Sequence, residues 1–350
     1  MTSKINELTN ATAEHGASDL FLCAEDPARL RVAGQIAELG EAPIPAEVVE
    51  AFWRLCGADP QKMRDFDTSF VDEAGHRFRV NLYKRLGRPA AVLRYIKSRI
   101  PSLEALGLPA HLLADWVMRP SGLILVTGAT GSGKSTTLAA CLDWLNHQVD
   151  RHIVTIEDPV EYLFEPKVSF FSQREVHTDT ESFSRGLRAS LRQSPDVILV
   201  GEIRDAETAT TALQAAETGH LVLSTLHSSS VTDTVERLTN LFPHNERESA
   251  LLLLSSQLIG IISQKLLAGP DNALHVVVEH MQNEGATRDW VRHTKLPDIE
   301  DFLRRAESPA NRSYLASLVA ATEAGLLTPE TAAEASLNPN DFYRALRGIR

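Results

Sequence analysis

Four short apolar runs punctuate the middle of the chain: GLILVTG (122–128), HIVTIED (152–158), DVILVGE (196–202) and HLVLSTL (220–226). Each is nearly continuous instead of alternating, as in a strand buried on both faces, and helical patterns separate them. They predict a parallel sheet covered by helices over residues 112–270. The first 98 residues have a different pattern. SDLFLCAEDPARLRVAGQIAEL (18–39) reads as two short strands with turns at Asp26-Pro27 and Gly34. EVVEAFWRLC (47–56) reads as a helix. TSFVDEAGHRFRVNLYKRLGRPAAVLRYI (68–96) alternates and turns at Ala74-Gly75 and Leu86-Gly87, as an antiparallel meander does. Together they predict a small α+β domain. RIPSLEALGLPAH (99–111), with two prolines and a glycine, reads as a linker. Residues 271–350 are helix-rich, and Thr328-Pro329 reads as an N-cap followed by proline at the first helical position.

Composition narrows the class. The 350 residues suffice for two domains, and 43% hydrophobic with 23% charged residues describes an ordinary globular protein. A net charge of -11 argues against a general nucleic-acid binder, which needs a basic face. The three cysteines, Cys23, Cys56 and Cys141, lie far apart with no CxxC pair, so a reducing compartment and no zinc site are expected. The first residues have no apolar core of the kind a signal peptide needs. LLLLSSQLIGII (251–262) is too short for a membrane span, so a cytoplasmic location is expected.

The strongest chemical signal is GATGSGKST, Gly128 to Thr136, which matches G-x-x-x-x-G-K-[ST] between an apolar strand and a helical run. Glycines let backbone N–H groups turn inward around phosphate oxygens, and the helix N-terminus adds positive potential. The candidate nucleotide contacts are Gly128, Thr130, Gly131, Ser132, Gly133, Lys134, Ser135 and Thr136. Lys134 is expected to face the β/γ phosphates and Ser135 to bind Mg²⁺, with ATP as substrate.

Acidic groups follow the next strands: Glu157, Asp158 and Glu161 after IVTI, and Glu202 after VILVG. Taken singly, each reads as a solvated loop acid or a helix N-cap. At the carboxyl ends of parallel strands beside a phosphate loop, Glu202 and Glu161 become candidates to accept a proton from water or to hold metal-bound water. His227 leaves its strand at the same edge, where an imidazole could bond the γ-phosphate. His220 precedes that strand, at its other end, and reads as structural or interfacial.

These stations, in this order, resemble the secretion-ATPase superfamily, and within it the PilT-like pilus retraction ATPases. The residues that carry the resemblance are GASDLFL (16–22), RFRVN (77–81), GATGSGKSTTLAA (128–140), TIEDPVEY (155–162), QREVHTDT (173–180), LRQSPDVILVGEIRDAET (191–208) and AAETGHLVLSTLHSSS (215–230). The resemblance implies an α/β fold: a PAS-like N-terminal domain (1–98), a RecA-like P-loop ATPase domain (112–270) and a helical C-terminal region (271–350). It implies Mg²⁺-dependent ATP hydrolysis in a homo-hexamer that powers pilus retraction from the cytoplasmic side of an inner-membrane platform protein. Glu202 would be the catalytic glutamate, Glu161 part of the acidic box at Mg²⁺, and His220 and His227 the histidine box. Arg79 and Arg94 match arginines of the N-terminal domain that approach nucleotide in the ring, although composition alone makes them solvated strand-face charges. The family's segment near AIRNLIRE corresponds here to ATRDWVRHTK (286–295), which keeps Arg288 and Arg292. No four-cysteine module of the pilus-assembly and type II secretion branch is present. Alternatives are a motor for type IV secretion or conjugation and a non-hydrolysing regulatory paralogue; a simple P-loop kinase would need an arginine-rich lid segment.

Overall fold

Along RFRVNL every second side chain is apolar, and in the computed structural model Phe78, Val80 and Leu82 are fully buried on one face of a strand. The structure describes residues 2–349 except 33, 97–98, 271–272 and 306–307. It divides into two units: Met1–Arg99 with Glu161–Leu163, and Ile100–Val160 with Phe164–Arg350.

The first unit runs α1 (Thr2–Glu14), β1 (Asp19–Cys23), β2 (Pro27–Val32), β3 (Gln35–Pro43), α2 (Ala46–Leu55), β4 (Asp65–Val71), β5 (Arg77–Arg85) and β6 (Arg88–Ile96). The strands form one antiparallel sheet in the order β3-β2-β1-β6-β5-β4. The stretch 18–39, read as two strands, contains three, because Asp26-Pro27 and Gly34 mark two separate turns. The apolar face packs on the helices: Ile5 and Leu8 from α1, and Phe52 and Trp53 from α2, join Leu20, Val80 and Leu93 in one core. Trp53 is fully buried, and its indole N–H donates to Ala90 O (3.1 Å), so its polar edge is satisfied.

The second unit runs α3 (Ala110–Val117), β7 (Gly122–Thr127), α4 (Lys134–Gln148), β8 (His152–Glu157), β9 (Phe170–Glu175), α5 (Phe183–Ser190), β10 (Val197–Val200), α6 (Ala206–Glu217), β11 (Leu221–Leu226), α7 (Val231–Leu241), α8 (Arg247–Gln257), β12 (Leu258–Ala268) and β13 (Leu274–Gln282). It ends with α9 (Ala286–Arg292), α10 (Leu296–Arg305), β14 (Asn311–Arg312), α11 (Tyr314–Glu323), α12 (Pro329–Ala335) and α13 (Pro339–Leu346). The sheet order is β14-β13-β12-β7-β11-β10-β8-β9. The six strands from β12 to β9 are parallel, and β13 and β14 add antiparallel pairs at one edge. All four strands predicted from continuous apolar runs lie in the parallel part, and β7, β10 and β11 are buried along their whole length. The greasy stretch 251–262 divides between α8 and β12. Thr328 caps α12, accepting the Thr331 N–H, with Pro329 opening the helix. Among the described residues no helix is long and apolar enough to cross a membrane.

Candidate functional site

The turn after β7 must double back before α4 begins, and glycine makes this possible. Gly131 and Gly133 have φ of 77° and 87°, a left-handed conformation that side chains resist. At Gly128 a Cβ would strike Gln264 O and Ser132 Oγ, so the close approach of loop to β12 also requires glycine. The loop is braced from β12 by Gln264, whose Nε2 donates to Ser132 O (2.5 Å) and whose Oε1 accepts from Thr137 Oγ1 (2.9 Å). Lys134 opens α4 and folds back over the loop, where its Nζ donates to Gly128 O (3.0 Å) and Ala129 O (2.9 Å). Ser132 Oγ is buried and has no hydrogen-bond partner among the described residues, so the loop keeps an unsatisfied hydroxyl beside its N–H groups. Ser135 and Thr136 follow in the first turn of α4, half-buried.

Glu202 stands just beyond β10. Gly201 N donates to Ile156 O (2.8 Å) and Thr225 Oγ1 donates to Gly201 O (2.6 Å), which pins the strand end between its two neighbours. Asp205 then caps α6 through the Thr208 N–H (2.7 Å). Both oxygens of the Glu202 carboxylate are engaged. Arg204 Nε donates to Oε2 at 2.8 Å, and His227 Nε2 lies 3.4 Å from Oε1. Arg204 also approaches Asp158 (3.8 Å).

His227 emerges from β11 at the same edge as the phosphate loop. Burial lowers its pKa below the usual histidine value, and the nearby Lys134 charge lowers it further against an opposing pull from Glu202. The imidazole is therefore neutral at pH 7, a hydrogen-bonding group instead of a fixed cation. The hydroxyl string after it terminates the loop: Ser230 Oγ accepts from Asp233 N (3.0 Å), and Asp233 Oδ2 accepts from Ser229 N (2.6 Å), a reciprocal cap on α7. His220 lies at the opposite end of β11. Its Nδ1 faces Ala215 O (2.9 Å) and its backbone N–H donates to the same oxygen (3.1 Å), which closes the α6–β11 turn, while its carbonyl accepts from Gly122 N (3.1 Å) at the start of β7.

The geometry thus brings together Lys134, Glu202 and His227. It adds two residues that the sequence motifs do not single out, Arg204 and Gln264. Glu157, one of the acids after IVTI, is buried at the end of β8 and accepts from Thr155 Oγ1 (2.7 Å). Glu161 is exposed beyond β8, within the three residues that belong to the first unit. Arg79 and Arg94 are also in that unit, opposite each other on β5 and β6. Arg94 Nε donates to Asp19 Oδ1 (3.0 Å), and Asp19 also faces Arg31 (3.3 Å). The donor set suits Mg²⁺. The hydroxyl of Ser135 and carboxylates at neighbouring strand ends are hard oxygen ligands, and no group of three His, Cys, Asp or Glu converges among the described residues. A cation that keeps its waters and arrives with phosphates needs no protein cage.

In open parallel sheets ligands bind beyond the carboxyl ends of the strands, where neighbouring connections diverge. With β7 between β11 and β12 and the glycine loop at its end, fold and site define a RecA-like P-loop ATPase preceded by a small α+β domain. The chain belongs to the type II/IV secretion system protein family, whose model matches residues 4–295. It is 39% identical over 344 residues to the type IV pilus retraction ATPase PilT of Pseudomonas aeruginosa, covering 97% of this chain and 99% of that one. It is 42% identical over 279 residues to a twitching motility protein of Neisseria gonorrhoeae, covering 79% of this chain and 74% of the other. A crystal structure of the pilus retraction motor PilT with bound ADP superposes with a TM-score of 0.89 at 40% identity, covering 97% of this chain and 99% of that one.

Proposed function

We propose that this chain is the hexameric, ATP-hydrolysing motor of a type IV pilus and that it drives retraction. The observation that carries the hydrolytic part is the convergence of Lys134, Glu202 and His227 on one strand edge, with His227 Nε2 3.4 Å from Glu202 Oε1. Likeness to PilT along nearly the whole of both chains supports the pilus assignment. Lys134 and the loop N–H groups hold the phosphates; Glu202 accepts the proton of the attacking water; neutral His227 orients the water or the terminal phosphate. Mg²⁺ supplies charge neutralisation at the phosphates, with Ser135 and Glu161 as the candidates to hold it and Glu157 as a further carboxylate at the same edge. Arg79 and Arg94 are candidates to add positive charge from a neighbouring subunit, where an arginine supplied in trans can accelerate transfer by roughly 10³–10⁵. The motor works beside an inner-membrane platform protein, on the cytoplasmic side.

Deletion of the gene tests this reading. Pili should still assemble, retraction should stop, and wild-type protein should restore it while Glu202→Gln and Arg79→Ala/Arg94→Ala do not. Loss of the pili themselves, or a secretion defect with retraction intact, would contradict it.

A further inference from the structure

Three buried hydroxyls join the parts of the site. Thr127 is the last residue of β7, immediately before the phosphate loop; Ser228 immediately follows His227; Thr234 lies in the first turns of α7. Thr127 and Thr234 are fully buried and Ser228 is 4% exposed. Thr234 Oγ1 lies 2.7 Å from Ser228 Oγ, 3.2 Å from Thr127 Oγ1 and 2.7 Å from Ser230 O. Its one proton is shared between two acceptors, Ser230 O and Thr127 Oγ1, which leaves a lone pair to accept from the Ser228 hydroxyl.

The sequence positions make the contact consequential. Thr127 moves with the loop that holds phosphate, and Ser228 moves with the backbone that carries His227. Shifting either would pull a buried hydroxyl off its partner, which is unfavourable. We propose that Thr234 is a positioning residue that locks the His227 loop to the phosphate-loop end of β7, and so fixes the imidazole against Glu202. The proposal rests on the reading of Glu202 and His227 as the hydrolytic pair.

The test uses the full chain. Thr234→Val keeps the branched shape but has no hydroxyl, and Thr234→Ser keeps the hydroxyl. A displacement near 1 Å at a reacting group can cost about 10²-fold. Thr234→Val should therefore lower kcat by roughly 10- to 100-fold while KM for ATP and ADP affinity stay within about twofold of wild type. Thr234→Ser should restore kcat. If Thr234 acts through His227, Thr234→Val should cause no further loss once His227→Ala is present. Additive losses, an equally poor Thr234→Ser, or wild-type kcat in Thr234→Val would overturn the proposal. If Thr234→Val does not fold, Ser228→Ala removes one arm of the contact, and the same kcat-only loss is expected; wild-type kcat there would overturn the proposal. The two readings fail differently. An impaired His227→Ala beside a normal Thr234→Val sinks only the positioning role. A normal His227→Ala beside an impaired Thr234→Val sinks the hydrolytic role of His227 as well.

Discussion

At the scale of single residues, the two histidines of the HLVLSTLHSSS stretch separate by strand polarity. His220 is tied to Ala215 O at the entry of β11, and His227 meets Glu202 at its exit. Steady-state hydrolysis should therefore fall about 10²-fold or more in His227→Ala and only slightly in His220→Ala, compared in assemblies of equal size. A larger loss from His220→Ala would reverse the assignment. Because burial and Lys134 lower the His227 pKa, the fall in wild-type kcat that protonation of His227 causes should come at a lower pH than an ordinary histidine would give. Lys134 and its glycines were legible because the phosphate loop is contiguous in sequence. Glu202 and His227 were legible because parallel strands all present their carboxyl ends on one edge. Gln264 was not, since it meets Ser132 and Thr137 from positions 132 and 127 residues away, and only the pairing of β12 with β7 brings them together.

At the scale of elements, β13 ties the C-terminal helices to the site. Glu279 Oε1 accepts the Val231 N–H (2.8 Å) at the start of α7, and Oε2 faces the Tyr314 N–H (3.5 Å) at the start of α11. Burial raises its pKa, against the pull of these N–H groups and Lys265. Residues 271–350 read as helix-rich from sequence, but Leu274–Gln282 forms β13, which pairs with β12 and extends the sheet. Next to Glu279, His280 is 2% exposed and its pKa is lowered from 6.5 to about 4, chiefly by burial. The folded chain favours neutral imidazole, so the unfolded chain binds the extra proton between those values. Stability from this group is complete above pH 6.5 and is lost as pH falls to about 4. At 1.36 kcal/mol per unit the loss is about 3 kcal/mol. Denaturant unfolding of wild type and His280→Asn from pH 7 to 4 measures it: the variant should have a shallower decline. Parallel curves would show that His280 does not drive the acid sensitivity.

At the scale of the whole molecule, the first unit is an antiparallel sheet backed by α1 and α2, and the second a mainly parallel sheet edged by the phosphate loop. Period-two alternation made the first legible, and continuous apolar runs the second. The arginines of the first unit are harder to read from sequence. Arg94 already pairs with Asp19, a contact that a strand-face charge and a nucleotide-directed arginine would both tolerate. The central claim is that the chain hydrolyses ATP with Glu202 as the proton acceptor. Measurement of Mg²⁺-ATP turnover by purified wild type and Glu202→Gln, alongside ATP affinity, tests it most directly. The account predicts turnover in wild type, and in the variant retained ATP binding with turnover reduced at least 10²-fold, because an amide cannot take the proton. Wild-type turnover in Glu202→Gln, or none in the wild-type protein, would contradict it.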